Sequence, residues 1–545
     1  MKKLASLLAL LILLSGCAAI PNAGPIEIIE NNGTQPGTDA VRVIAKPPTA
    51  RMNAIQIASG FVSANISTFG DFGVARKYLT PSASNSWSPT SFEVLDSASI
   101  QYNDLGTGIV ELSALQTGRL KKNHRFEIFP VAKPFLLQLK IETTKAGLRI
   151  ANVIKSGILT SSDMVRGFSA FNVYFGNENF TRLVPEIVWL PKNEKSIGTK
   201  LVSALLSGSR ENFKTAIPAG TELRFGSVAI ANGDANINLN AAALSADNAQ
   251  RKFMMAQLVW TLQSIPGVNT VQISTNDRVL STQGKTFFNR RDFAKLNPDY
   301  VGRESGLYTL QNGNLSSENQ GLIVDLGKLP RGTNFAVSEN QKQFAYTFNG
   351  ELRTAPVSKI KNYQTQYIDV KNIGFDKSDR IWFSNNRGNL FALLSDGSIQ
   401  KVLQLSDSKI QDFAISPDGA RIALITTTQS SSSLLVGTVV SENGVLGLVG
   451  LRKVEQTLNE VTDVDWLSST ELVVIGQIGI SESVLAQVSL TNGSLRNLNN
   501  PKKFVSVHTS NTGALLASTR NDSVWKFEDG LWSKLSNNLQ AVFSK

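Results

Sequence analysis

The sequence predicts a multidomain protein, with two α+β domains followed by an all-β propeller of five or six blades. Three patterns predict it. Residues 49–160 and residues 192–285 each combine amphipathic helices with alternating strands, and from about residue 300 a strand–turn–strand frame recurs. The length of 545 residues agrees, since domains of roughly 100–200 residues would number three or four.

The N-terminus reads as a targeting segment. Met1-Lys2-Lys3 is a basic start, and Leu4 to Leu14 is an apolar run broken only by Ser6. Such a run is too short to span a bilayer, which takes about 20 residues, and fits a signal-peptide core. Small residues Ser15 and Gly16 then precede Cys17, the single cysteine of the chain. Residues 1–16 are therefore expected to be a signal peptide cut between Gly16 and Cys17. Residues 17–48, rich in Gly, Pro, Asn and Thr and closed by Pro47-Pro48, read as a tether.

Leu14-Ser15-Gly16-Cys17 resembles the bacterial lipobox. That resemblance implies a diacylglyceryl group on the Cys17 thiol and N-acylation of the new N-terminus. Two or more acyl chains anchor a protein stably where one does not. No other stretch approaches about 18 apolar residues, so the mature chain is expected to be lipid-anchored on the extracytoplasmic face of the cell membrane.

In 49–160, Met52, Ile55, Ala58, Val62 and Ile66 recur at steps of three and four, the spacing of one helical face. A second short helix holds Asp71 to Leu79 and should end or kink at Thr80-Pro81. Strands follow at 98–102, 108–112, 125–128, 135–142 and 147–153. Helices before a curved antiparallel sheet make a cone, and Ala75 to Trp87 (ARKYLTPSASNSW) resembles the NTF2-like cone domain. Catalytic members of that fold use Asp, His or Tyr inside the cone. The one histidine of this stretch, His124, reads as a surface residue between strands and receives no role.

Residues 161–191 read as a connector whose apolar anchors, including Phe171, Tyr174, Leu183 and Trp189, pack on a neighbouring domain. Pro185 and Pro191 argue against central strands. In 192–285, Ile197, Leu201, Ala204 and Leu205 mark a helix, and Asn232-Gly233-Asp234 joins two alternating strands as a hairpin. Asp247 and Gln250 form a capping box for a helix running to Ile265, with Met255, Leu258, Val259 and Leu262 as its core stripe. Pro266-Gly267 stops that helix before a strand at 268–274. LVSALLSG, IPAGTEL, NGDANINL and IPGVNTVQIS together resemble the GerMN domain.

The repeat region runs over 300–545. Its clearest copy is Phe413 to Leu424, a strand, a Ser416-Pro417-Asp418-Gly419 turn and a second strand. Matching positions Ser338, Asp376, Ser416, Trp466 and Ser510 lie 38, 40, 50 and 44 residues apart. Four strands at that period are a propeller signature, with a partial copy at Tyr308 to Gly313 and an end strand expected to close the ring. The SPDG copy resembles TolB-like and WD40-like repeats. Propeller glycosidases need paired carboxylates in the central channel. Asp376 and Asp418 sit at repeat turns, where turn chemistry already accounts for them.

Composition narrows the function. One cysteine excludes a disulfide framework and cysteine-based metal sites, and His124 and His508 are too far apart in sequence to suggest a cluster. No catalytic residue, metal ligand or cofactor is expected, and the chain is read as a non-enzyme. The formal charge of +11 falls to +9 when Lys2 and Lys3 leave. Outside the membrane, anionic lipid or wall polymer is a better counterpart for it than nucleic acid, and no nucleic-acid partner is expected.

The domain order, the mature start CAAIPNAGPI and the segment FNVYFGNENFTRLVPEIVWLP look like the actinobacterial lipoprotein LpqB family. That resemblance implies an accessory role in which the chain contacts the extracellular sensor domain of an MtrB-type histidine kinase. The MtrA–MtrB system would then carry the signal to the cell wall and envelope. The rival reading is an extracytoplasmic carbohydrate-binding lipoprotein or hydrolase that uses the propeller channel.

Overall fold

The computed structural model describes residues 45–543, except 68, 153–154, 283, 300–305, 320–321, 331–333, 455–456, 480–481, 499–500, 511–513, 522, 529 and 538. Helix α1 (Ala54–Ala64) begins at a reciprocal capping box between Asn53 and Gln56 and buries Ile57, Ala58, Phe61 and Val62. The buried face is therefore turned from the expected stripe: Ile55 is exposed, and Met52 precedes the helix. Helix α2 (Phe69–Arg76) stops before Thr80, whose hydroxyl caps a further helix, α3 (Pro81–Ser86). Thr80-Pro81 thus starts a helix instead of ending one, since proline suits the first turn, where no partner awaits its missing N–H.

These helices pack on a sheet ordered 147–150, 126–144, 109–120, 92–95 and 157–160, with Gln101–Asp104 paired to the third strand. The two strands expected at 125–128 and 135–142 are one, Phe126–Thr144. It stays continuous across a bulge: Gln116 faces Lys133 while Gly118 faces Ile128. The cone interior is filled by side chains, with Trp87 1% exposed and its ring 5.2 Å from that of Phe61 and 5.5 Å from that of Phe72.

A short helix, α4 (Ser161–Gly167), leads into a two-stranded ribbon of Phe168–Gly176 and Leu183–Pro191. With only two strands, each has an edge that lies outside the ribbon's own ladder, and Pro185 and Pro191 are accommodated there. The ribbon shares one core with α5 (Ile197–Leu206) and α6 (Asn248–Leu262). Every residue of α6 from Phe253 to Leu262 is buried, so the expected stripe is a fully enclosed helix. Its polar members are tied inward. Gln257 donates to the Tyr174 carbonyl (3.0 Å) and accepts from the Ala216 N–H (2.9 Å), and Thr261 Oγ1 accepts from the Tyr174 N–H (3.0 Å).

Among the described residues the C-terminal region holds six four-stranded antiparallel sheets, the blades of the propeller. Blade 1 takes three strands from 307–328, blade 2 spans 334–368, blade 3 370–403, blade 4 409–453, blade 5 458–497 and blade 6 504–536. The last strand, Leu539–Phe543, pairs with Leu307–Gln311 and supplies the fourth strand of blade 1. The ring therefore closes by joining the two ends of the repeat region.

Candidate functional site

The first strands of blades 2 to 6 surround a central cavity of about 430 Å³. Asn334, Asn372, Asp412, Asp463 and Ser506 line it, one from each blade. They share a register: 334, 372, 412 and 506 each lie four residues before the repeat-turn serine or aspartate of their blade. Asn372, Asp412, Asp463 and Ser506 also each follow a shift in strand pairing. A bulge inserts an unpaired residue and re-aims the next side chain, so four blades use one device to build a polar ring. Two residues further on, the wall is Ala336, Gly374, Ala414, Asp465 and His508.

Most of this polarity is engaged in holding blades together. Asn372 Nδ2 donates to the Gln411 carbonyl of blade 4 at 2.6 Å. Asp463 Oδ2 accepts the Val507 N–H of blade 6 at 2.6 Å, and Asp465 Oδ2 accepts the Thr509 N–H at 2.8 Å. Trp466 Nε1 donates back to the Ala414 carbonyl of blade 4 at 2.9 Å. Asp412 and Asp463 hydrogen-bond to each other. Burial raises both carboxyls, Asp463 well above the usual range, with the Asp412 charge adding to it. Two carboxyls this close share one proton.

The other ends of the inner strands, at the repeat turns, face the second domain. Arg421 is 3% exposed and carries the seam. It donates to the Pro185 carbonyl (2.7 Å), to Glu211 (3.2 Å) and to the Ser469 carbonyl (3.2 Å), and its guanidinium lies 4.5 Å from the Phe213 ring centroid. Asn177 Nδ2 donates to the Asp418 carbonyl (3.0 Å), Arg182 pairs with Glu339 (3.0 Å), and Arg380 lies between Asp376 (2.7 Å) and Glu178 (3.3 Å). Asp299 Oδ1 accepts the Ser469 N–H at 2.7 Å. Asp376 and Asp418 are therefore more than turn residues: the turns that hold them are the docking surface for the ribbon.

The first domain joins the same node. Arg125 pairs with Glu186 of the ribbon, whose Oε2 also accepts from Ser209 Oγ at 2.8 Å. Burial lowers the Arg125 guanidinium to about 10, against the raising effect of Glu211. His124, expected at the surface, is partly buried at this junction, and its carbonyl accepts the Trp189 N–H at 2.7 Å. Burial holds its imidazole down to about 4, with the Lys200 charge adding to the effect.

Gly16 and Cys17 lie outside the described residues. His508 lines the channel wall and His124 lies at the domain junction, so the structure does not bring the two histidines together. Among the described residues no three His, Cys, Asp or Glu side chains group as a metal site, and no helix is long and apolar enough to cross a membrane. Sequence reading missed the polar ring and the seam arginine. The ring had a usable signal, a polar residue at a fixed offset before four of the five repeat turns.

Comparison with known proteins gives three family matches in chain order. Residues 47–165 match the lipoprotein LpqB N-terminal domain, 172–281 the Germane domain (sporulation and spore germination) and 395–541 the lipoprotein LpqB beta-propeller domain. Lipoprotein LpqB of Thermobifida fusca is 23% identical, over 98% of this chain and 97% of the relative. That of Streptomyces coelicolor is 24% identical over 98% and 96%, and that of Mycolicibacterium smegmatis 23% over 87% and 86%. With matches to both LpqB-specific domain models around a Germane match, and relatives that align over most of their length, the chain is similar from its first described domain to its propeller to the lipoprotein LpqB family.

Proposed function

We propose that this chain is a lipid-anchored accessory protein of the extracytoplasmic face, held through Cys17. In this reading it binds the extracellular sensor domain of an MtrB-type histidine kinase and biases that kinase between signalling states, and so affects wall and envelope homeostasis. The supporting observation is the seam. It occupies the repeat-turn side of the propeller and leaves the side bearing the polar ring turned away from the second domain. That side offers loops of several blades to one partner, and anchoring raises its effective concentration beside a membrane kinase. A modulator of this kind acts by binding one kinase state better than the other.

The test is a titration of the purified mature chain against the kinase sensor domain, followed by autophosphorylation of the full kinase in vesicles. Saturable binding and a changed phosphorylation rate are expected. No binding at high micromolar concentration would sink the proposal. The channel favours one second reading, a small polar ligand such as a wall saccharide held by Asn334, Asn372 and Asp412. Turnover of wall glycans by the purified chain would replace the modulator with a hydrolase.

A further inference from the structure

We infer that the edge of the first domain where the chain arrives from Cys17 is a docking surface for anionic lipid headgroups. Three segments meet there. Tyr78 Oη donates to the Lys46 carbonyl at 2.8 Å, and the Ile150 N–H donates to the Tyr78 carbonyl at 2.9 Å. Gly147, at φ +98°, lies against the same segment: a Cβ on it would come within 3.0 Å of the Ala50 Cα. Only glycine suits that turn, which carries Lys145 beside residues 46–51.

The outcome is a cluster of one sign. Lys46, Arg51, Lys77 and Lys145 are exposed, and Arg149 is partly buried beside them. Residues 45–52, 77–80 and 143–151 contain no aspartate or glutamate. Among the described residues none of the five cations forms an ion pair. The flanking acids already have partners: Asp71 pairs with Arg76 (2.6 Å) and Glu142 with Lys140 (2.8 Å). Solvated basic residues are common on any surface, but these five gather at the edge of the domain where its described chain begins, on the Cys17 side in sequence. Basic residues beside an anionic membrane are each worth about 1 kcal/mol, and their effect fades within a Debye length. An anchored domain that turns this edge inward would hold the second domain and propeller in one orientation above the bilayer.

The inference uses the anchor reading only to choose the membrane as the anion. The affinity itself belongs to the folded domain and is measured without acyl chains. The chain from residue 18 onward is mixed with vesicles of phosphatidylcholine, with or without about one third phosphatidylglycerol. Binding to the anionic vesicles that weakens with salt is expected. The triple variant K46E, K77E, K145E should lose it, by about five-fold or more per residue. A matched triple on the propeller, K359E, K503E, K534E, should keep it; all six side chains are exposed, so neither variant threatens the fold. Equal binding to neutral vesicles, no binding at low salt, or equal loss in both variants overturns the proposal. So does tighter binding to a soluble glycerol phosphate polymer than to the vesicles, which would assign the surface to wall polymer. Failure of Cys17→Ser to release the protein from cell membranes washed at high salt, where the basic edge no longer binds, would sink the anchor reading and leave the vesicle result standing.

Discussion

At Asp463 one carboxyl group serves two neighbours: it accepts the Val507 N–H of blade 6 and hydrogen-bonds Asp412 of blade 4. Burial raises its pKa, so the folded state holds the shared proton more tightly than the unfolded chain does. The sign follows from linkage: the stability this adds is full below the ordinary aspartate value and is lost as pH rises through the folded one. Asp463→Asn keeps an acceptor for Val507 and gives Asp412 a permanent donor. It should therefore flatten the decline in melting temperature with rising pH. Asp463→Ala should cost about 1–3 kcal/mol, because it strands a buried N–H. Thermal denaturation from pH 5 to 9 distinguishes the two; a decline unchanged in the Asn variant would refute the shared proton. None of this was visible in one strand read alone, since Asp463 looks like any solvated aspartate until its blade is set beside two others.

Elements were legible where a local rule decides them. The capping box at Asp247 and Gln250, the hairpin at Asn232-Gly233-Asp234 and the repeat frame depend on neighbours in sequence, and they form as expected. The misreadings arose where packing decides. From Phe253 onward helix α6 is enclosed on all sides, so its apolar stripe carried no face. The strand Phe126–Thr144 runs through a bulge that reads as a break in the alternation. Ring closure by Leu539–Phe543 depends on the longest separation in the propeller, yet its existence was readable because the first copy lacks a strand. A stop after residue 537 removes that strand and leaves the inner edge of Leu307–Gln311 unpaired. The expected result is a melting temperature lower by roughly 5–10 °C, since 1 kcal/mol moves it by about 2–4 °C in domains of this size. Early proteolytic cleavage in 307–328 should accompany it. Wild-type stability and protease resistance in the truncated chain would show that the ring does not depend on its closing strand.

At the scale of the whole molecule, charges far apart in sequence converge from three domains: Arg125 from the first, Glu186 and Glu211 from the second, and Arg421 and Arg452 from blade 4. No sequence motif brings them together, because each lies in a different unit and their meeting is a product of docking. Burial pushes the Glu211 carboxyl up, but the guanidiniums of Arg421 and Arg452 outweigh it and hold it below the usual glutamate range. A depressed carboxyl adds stability that is present above its unfolded value and lost as pH falls through the folded one. Acid should therefore loosen the seam before it melts the cores, which are apolar in each domain. Calorimetry should show the second domain and propeller melting together at neutral pH and separating toward pH 4. Arg421→Ala should bring that separation to neutral pH, at a cost of about 3–5 kcal/mol for a buried cation removed from its partners. Glu211→Gln should separate them at every pH and abolish the acid dependence. If Arg421→Ala still melts as one unit, the apolar contact of Ala420 with the second domain's core holds the domains together without the ionic node. A partner bound to the propeller would in that case still move a rigid body, by way of packing instead of charge.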